Sequence, residues 1–470
     1  MKVKKDFASE ALRAGLSKKA CPMARALIAV AATAVFFVFA YRARYATLDS
    51  FGSFQLEELL RMTAIMFTAV YAVMMAVQMK RAKTLPVAMH LMLAVITGAV
   101  VLGKISLLDY VSDDYSIFLN NWISSYTTMG LREGLGSYIG SDYTPPYLYL
   151  MYAISRFPDY PWLYMVKLIS FFADILLAYA MMNIASLKTK SESMQLLVFH
   201  IVSILPTVVF NGAYWGQCDA IYSGFCILAL YLALAKKPWR SMLCFGVALS
   251  FKLQTVFFLP ALLPLWLRKD VKLRHLLLIP CAYMGMMLPA LWGGKSLHHV
   301  LTCYLQQAGQ YKFMTVNAPS LYQFLPLKEI DGHMLYSMFS PMALALGLGA
   351  IVACCVPVAV YHKKVTPETT LLFSVLVLGA VPFFLPQMHE RYTFGADVLS
   401  LAVCLWAPRR VALPLLFGLA SYICYTAGLP GDSIFVLKWA SMFQLAAVVL
   451  AACELVTALR RDNEAAEVKA

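Results

Sequence analysis

Apolar stretches of about twenty residues recur along nearly the whole of this chain, and each is long enough to cross the hydrocarbon core of a bilayer as a helix. Inside lipid every backbone polar group must find its partner within the protein, so repeated segments of this length predict helices rather than a barrel. Composition agrees: 61% of the 470 residues are apolar and only 14% are charged, too little polar surface to cover a water-soluble fold. The expected fold is an all-α polytopic membrane protein of about 13–14 transmembrane helices, with no large soluble domain.

A net charge of +14 would suggest nucleic acid in a soluble protein, but here the placement of the charges carries the information. Lys80-Arg81, Lys188, Lys190, Lys236-Lys237, Lys363-Lys364 and Arg409-Arg410 punctuate alternate loops and mark the cytoplasmic side. Lys2, Lys4, Lys5, Arg13, Lys18 and Lys19 belong with them. No cleavable signal is expected, because the first apolar run leads straight into Tyr41-Arg42-Ala43-Arg44. Residues 241–267 are flanked by basic clusters on both sides, which a single crossing would separate. A broken hairpin that enters and leaves on the cytoplasmic side is expected instead, with Ser250-Phe251-Lys252-Leu253-Gln254 at its tip and Pro260 and Pro264 bending the return leg.

With this topology the stretch from Asp109 to Tyr149 lies on the outer face, the densest run of carboxylates and aromatics between any two apolar segments. Ile117-Phe118, Trp122, Tyr126, Met129 and Leu131 recur at helical spacing and predict an amphipathic interfacial helix. Gly134, Gly136 and Gly140 are expected to break it, and Pro145-Pro146 to start a second helix. The same face receives Asp142-Tyr143, the turn Trp215 to Asp219, Lys252 at the hairpin tip, Asn317, and Met388-His389-Glu390-Arg391. Such a gathering suits a reaction at a membrane surface.

Sugar transfer from an activated lipid phosphate needs one carboxylate as general base on the acceptor, and cations held away from bulk water for the departing phosphate. Asp114 supplies the base; Lys252 and Arg391 supply the cations. Each has a plainer reading. Asp113 or Asp114 could cap the helix that follows, Lys252 could pair with Asp219 or Asp174, and Glu390 with Arg391 could form a self-contained ion pair. His298-His299 with Cys303 has metal-like spacing but no clear partner set. Most of the eleven cysteines sit within apolar runs as small hydrophobes; Cys218 and Cys303 fall near the outer face, where a disulfide or two free thiols stay open.

Several pieces together resemble the GT-C superfamily of polytopic glycosyltransferases that use polyprenyl-phosphate sugars. They are Asp114-Tyr115 with Phe118-Leu119 and Trp122; Asp142-Tyr143-Thr144-Pro145-Pro146-Tyr147; Lys167-Leu168-Ile169 with Asp174; Trp215-Gly216-Gln217-Cys218-Asp219-Ala220; Phe245-Gly246 with Phe251-Lys252-Leu253-Gln254; Asn317-Ala318-Pro319-Ser320-Leu321-Tyr322; and Met388-His389-Glu390-Arg391-Tyr392. The set is most similar to bacterial proteins related to the second mannosyltransferase of GPI-anchor assembly, and more distantly to the dolichyl-phosphate-glucose glucosyltransferases of N-glycan assembly.

The resemblance implies an inverting hexosyltransferase, mannose as the first guess, acting on a glycan or glycolipid acceptor at the extracytoplasmic face, in a bacterial plasma membrane. It places the catalytic aspartate at Asp114 or Asp113. Substrate contacts would come from Asp142, Tyr143, Gln217, Asp219, Lys252, Gln254, Asn317, His389, Glu390 and Arg391. No cofactor is carried over, and a divalent cation stays open. The catalytic membrane core is expected over 85–407, with outer loops 109–161 and 293–333. Residues 1–84 would add a tail and two extra helices, and 408–470 the last helices and a cytoplasmic tail. The alternative from a different class is a secondary transporter or lipid-carrier flippase, which would keep its intramembrane charges in broken helices of pseudo-symmetric halves.

Overall fold

A computed structural model describes residues 15–48, 53–307, 312–325, 332–427 and 434–468; Lys2, Lys4, Lys5 and Arg13 of the basic cluster lie outside them. The chain is an all-α polytopic membrane protein. Helices α1 (Pro22–Leu48), α2 (Ser53–Arg81) and α3 (Val87–Ile105) lead into the acidic loop, which carries the short helices α4 (Asn120–Tyr126), α5 (Leu131–Gly136) and α6 (Pro145–Ile154). α7 (Trp162–Ser186) and α8 (Glu192–Ile204) follow, with a 50° bend before Pro206–Tyr214. Next come α9 (Asp219–Leu234), α10 (Pro238–Phe251), α11 (Leu262–Leu267), α12 (Leu278–Gly293) and α13 (Leu297–Gln307). The chain closes with α14 (Gly332–Val360), α15 (Pro367–Phe384), α16 (Phe394–Val403), α17 (Ala412–Thr426) and α18 (Ile434–Glu467). Among the described residues eight helices are long and apolar enough to cross a membrane, or nine with the bent pair. Other segments expected to cross fold as shorter apolar helices, including 219–234, 253–267 and 394–403.

The most apolar window of α15 is 89% buried within the protein and that of α7 is 72% buried, whereas the window of α1 is only 11% buried. The first two therefore form the centre, and α1 lies at the periphery with most of its surface left for lipid. α15 starts where Thr366 Oγ1 accepts from the Thr369 amide at 3.3 Å and Pro367 takes the first helical position, which needs no amide partner. α12 stops at Gly294, whose φ of 104° is a conformation that glycine alone adopts at little cost.

Residues 238–267 form the broken hairpin. α10 ends at Lys252, which is extended at φ −154° and ψ 137°, and a tight 3₁₀ segment, Leu253–Ala261, carries the chain back past Pro260. Lys236 before the hairpin is ion-paired with Asp270 after it, so both flanks lie at the same end of the bundle. That end also holds the other basic clusters. Arg81 Nη2 donates to Asn183 Oδ1 at 2.6 Å, Arg268 Nη1 to the Val365 carbonyl at 2.8 Å, and Arg410 Nη2 to Glu368 Oε1 at 2.7 Å.

The acidic loop departs from the single interfacial helix expected of it. α5 runs through Gly134 and ends at Gly136, so Gly134 does not break a helix while Gly136 stands where one stops; both let helices approach. A Cβ on Gly136 would lie 2.2 Å from the carbonyl oxygen of Gly293 at the end of α12. Gly140, with φ of 73°, makes the actual turn.

Candidate functional site

The site is assembled at the end of the bundle opposite the basic clusters, and its first anchor is Lys167. This residue of α7 is buried, and its ammonium donates to the carbonyls of Leu107, Leu108 and Tyr110 at 2.7, 3.0 and 2.8 Å. Those carbonyls lie just past the end of α3, in irregular backbone whose acceptors have no helical partner. Lys167 thereby fixes how the acidic loop leaves the membrane. Ser112 then holds the next step: its hydroxyl donates to the Trp215 carbonyl at 2.7 Å and accepts from the Tyr115 amide at 3.2 Å. The capping role that the sequence offered to Asp113 or Asp114 is thus filled by Ser112.

Residues Asp114–Leu119 form a wide π-helical turn, and Val209–Tyr214 forms another. Turns of this kind are rare and frequent at functional sites, because the extra residue per turn re-aims the side chains. Asp114 is half-buried and accepts a hydrogen bond from Gln217 Nε2. Its Oδ2 lies 3.7 Å from Arg391 Nη1. Asp113, the neighbouring candidate, is exposed and makes no side-chain cap.

The second turn presents Asp219. Its carboxylate is fully buried and accepts from Lys252 Nζ at 2.6 Å and from Asn211 Nδ2 at 2.7 Å, with Arg391 Nε 3.7 Å away. Of the two pairings open to Lys252, the structure selects Asp219; Asp174 is taken by Lys104 at 2.5 Å. Asn211 also reaches Tyr425 Oη of α17 at 3.0 Å. Gly216, with φ of 72°, supplies the left-handed residue the turn requires.

The hairpin tip and the two outer loops close around these groups. Thr144 Oγ1 donates at 2.6 Å to the Ser250 carbonyl in the last turn of α10, tying the Asp142-Tyr143 loop to Lys252. The Lys252 ammonium lies 5.7 Å from the centroid of the Tyr143 ring, within cation–π reach. β1 (Thr315–Val316) pairs in parallel with β2 (Met388–His389), and Asn317, at φ 53°, bridges to His389 through its backbone. Asn317 itself is exposed, so its place at the site is structural pairing rather than a side chain in the cavity.

Two adjoining hollows result, with wall residues in common. The larger, about 250 Å³, is lined by Asp142, Tyr143, Lys252, Gln254, His389 and Arg391 among others. The smaller, about 40 Å³, has Asp114, Trp122 and Gln217 on its wall and shares Asp142, Tyr143 and Arg391 with the first. Arg391 stands at the join, with Glu390 Oε1 at 2.6 Å. Burial pushes the Asp142 and Glu390 carboxyls above their ordinary values, partly offset by the nearby Arg391. Burial, with Arg391 and Lys252 beside it, holds His389 well below its ordinary 6.5, so its imidazole is neutral. The arrangement offers acceptor oxygens, a neutral imidazole and two cations already engaged by carboxylates.

Among the described residues no group of three or more His, Cys, Asp or Glu side chains is placed to hold a metal ion. Cys218 and Cys303 are buried free thiols that both touch the 142–143 loop: Cys218 Sγ lies 3.9 Å from Tyr143 Oη, and Cys303 Sγ lies 3.8 Å from the Asp142 carbonyl. Sequence reasoning passed over Asn211, Lys104 and Tyr425. A polar residue within an apolar run marked the first two; nothing distinguished Tyr425 from the other aromatics of the bundle. No protein-family model and no curated protein sequence matches this chain.

Proposed function

We propose that this protein is a membrane glycosyltransferase that moves a hexose from a polyprenyl phosphate to a glycan or glycolipid acceptor, with inversion and with Asp114 as the general base. One observation carries the reading: Asp114 and Arg391, 277 residues apart in the chain, stand 3.7 Å from each other where the two hollows meet at one end of a membrane bundle. An acid and a fixed cation on either side of one small space are what transfer from an activated lipid phosphate requires.

In this reading the acceptor hydroxyl enters the smaller hollow and loses its proton to Asp114. The sugar phosphate occupies the larger hollow, where Arg391 meets the departing phosphate as a bidentate donor. Lys252 acts through Asp219, whose carboxylate orients Arg391, while Gln217 orients Asp114. Neutral His389 and Gln254 supply hydrogen bonds without adding charge. Because the basic clusters occupy the opposite end of the bundle, the site faces the extracytoplasmic side of the membrane.

The test uses the purified full-length protein with polyprenyl-phosphate hexoses and follows release of polyprenyl phosphate. Release with mannose or another hexose donor supports the reading. Movement of an intact substrate across a vesicle membrane without release would assign the protein to the transporter class instead.

A further inference from the structure

The molecule has a second cavity, at the end opposite Asp114, that the proposed reaction does not use. Its volume is about 850 Å³, and it opens between α2, α7 and α8. Lys80, Arg81, Lys83 and Lys190 stand around it with one carboxylate, Glu192. That carboxylate is engaged within the protein, where the Thr84 amide and hydroxyl both donate to Glu192 Oε2 at 2.8 Å. Lys80, Lys83 and Lys190 are exposed and form no ion pair among the described residues.

The wall below this cationic mouth is apolar. Val77 of α2 and Phe172, Leu176 and Tyr179 of α7 line it. From Phe172 to the end of α7 at Ser186 is fourteen helical steps, roughly 20 Å at 1.5 Å each. The cavity therefore runs from the basic end to about the middle of the bundle, cationic at its mouth and greasy along its depth. Arg25 of α1 closes the end of α2 by donating to the Met79 and Ala82 carbonyls at 3.1 and 3.0 Å. Cations at the mouth above an apolar wall are the chemistry that a phosphate headgroup with acyl chains attached would meet.

We propose that this cavity holds one anionic diacyl phospholipid of the surrounding bilayer, its phosphate among Lys80, Arg81, Lys83 and Lys190 and its chains along Val77, Phe172 and Leu176. Basic hollows between transmembrane helices at the cytoplasmic end recognise acidic headgroups in this way. The bound lipid would join α2 to α7 and α8, a structural purpose independent of the chemistry at Asp114.

The experiment titrates the full-length protein, purified in neutral detergent, with phosphatidylglycerol, phosphatidylcholine or a polyprenyl phosphate, and counts retained lipids by native mass spectrometry. The expected result is one retained phosphatidylglycerol, preferred over phosphatidylcholine by at least about tenfold, with a rise in thermal midpoint that phosphatidylcholine does not produce. The triple variant Lys80→Gln, Lys83→Gln, Lys190→Gln should lose that preference. Val77→Trp, which narrows the apolar wall and leaves every charge in place, should lose retention as well and serves if the triple variant does not fold. Equal retention of the two phospholipids, retention unchanged in both variants, or displacement of phosphatidylglycerol by an equal amount of polyprenyl phosphate would overturn the proposal.

Discussion

Lys252 Nζ lies 2.6 Å from Asp219 Oδ1 at the tip of a broken hairpin, with both side chains buried. The contact joins the start of α9 to the end of α10, and it forms because the chain turns back at Lys252 instead of completing a crossing. A buried charge left without its partner is far more costly than a buried pair. Lys252→Ala leaves Asp219 with Asn211 and the more distant Arg391, and is expected to destabilise the protein by up to about 3 kcal/mol, read as a fall in thermal midpoint in detergent. Lys252→Met with Asp219→Leu should recover much of that loss and still fail to transfer sugar. Lys252→Arg should fold and lose activity, because the longer planar fork does not fit a space shaped for a compact ammonium.

The glycines of the acidic loop separate two effects. Gly136→Ala would place a methyl 2.2 Å from a backbone oxygen that cannot move aside, and is expected to cost about 1–3 kcal/mol as α5 is pushed off α12. Gly130→Ala meets open space at an ordinary φ of −68°, and at this N-cap the lower entropy of the unfolded chain offsets much of the preference for glycine over alanine, so the change should stay within about 0.5 kcal/mol. Thermal midpoints of the two variants, measured side by side, check both.

Acid should act on the site through His389. Its folded-state value is depressed below 6.5, so below that pH the unfolded chain binds a proton that the folded chain refuses. The stability it contributes is complete above about 6.5 and is lost as the pH falls toward the folded value, at up to about 1.4 kcal/mol per pH unit. Asp142 and Glu390 act in the opposite sense, since their raised folded values let the folded chain take up protons first. The comparison of His389→Gln with the parent protein isolates the histidine: the variant should lose less stability than the parent between pH 6.5 and 5. Parallel curves would remove His389 as the cause.

How much of this was legible in the sequence depends on whether the signal was local. The helical bundle was legible in the length of the apolar runs, and the hairpin in the basic clusters on both sides of residues 241–267. The meeting of Asp114, Gln217, Lys252 and Arg391 was legible because each interrupts an apolar or aromatic run where a polar group needs a reason. Less legible was which partner each would take. Lys252 had Asp219 and Asp174 within reach of the topology, and only the packing of α3 against the turn after α8 gives Asp174 to Lys104. Asn211 reaches Asp219 only because Val209–Tyr214 winds as a π turn, which no spacing rule anticipates. Gly134 was misread as a helix breaker, because a close approach between helices leaves no mark in local sequence. Asp113 and Asp114 are equivalent on paper; Ser112 separates them by taking the Tyr115 amide, so that Asp114 turns toward Gln217 and Arg391 while Asp113 stays exposed.

That separation allows the most direct measurement of the central claim: release of polyprenyl phosphate from a polyprenyl-phosphate hexose by the parent protein, Asp113→Asn and Asp114→Asn, each shown to be folded by its thermal midpoint. The account predicts that Asp113→Asn keeps most of the parent rate and that Asp114→Asn loses at least about a hundredfold, the scale of a lost general base. A folded Asp114→Asn protein that still transfers sugar at the parent rate would contradict it.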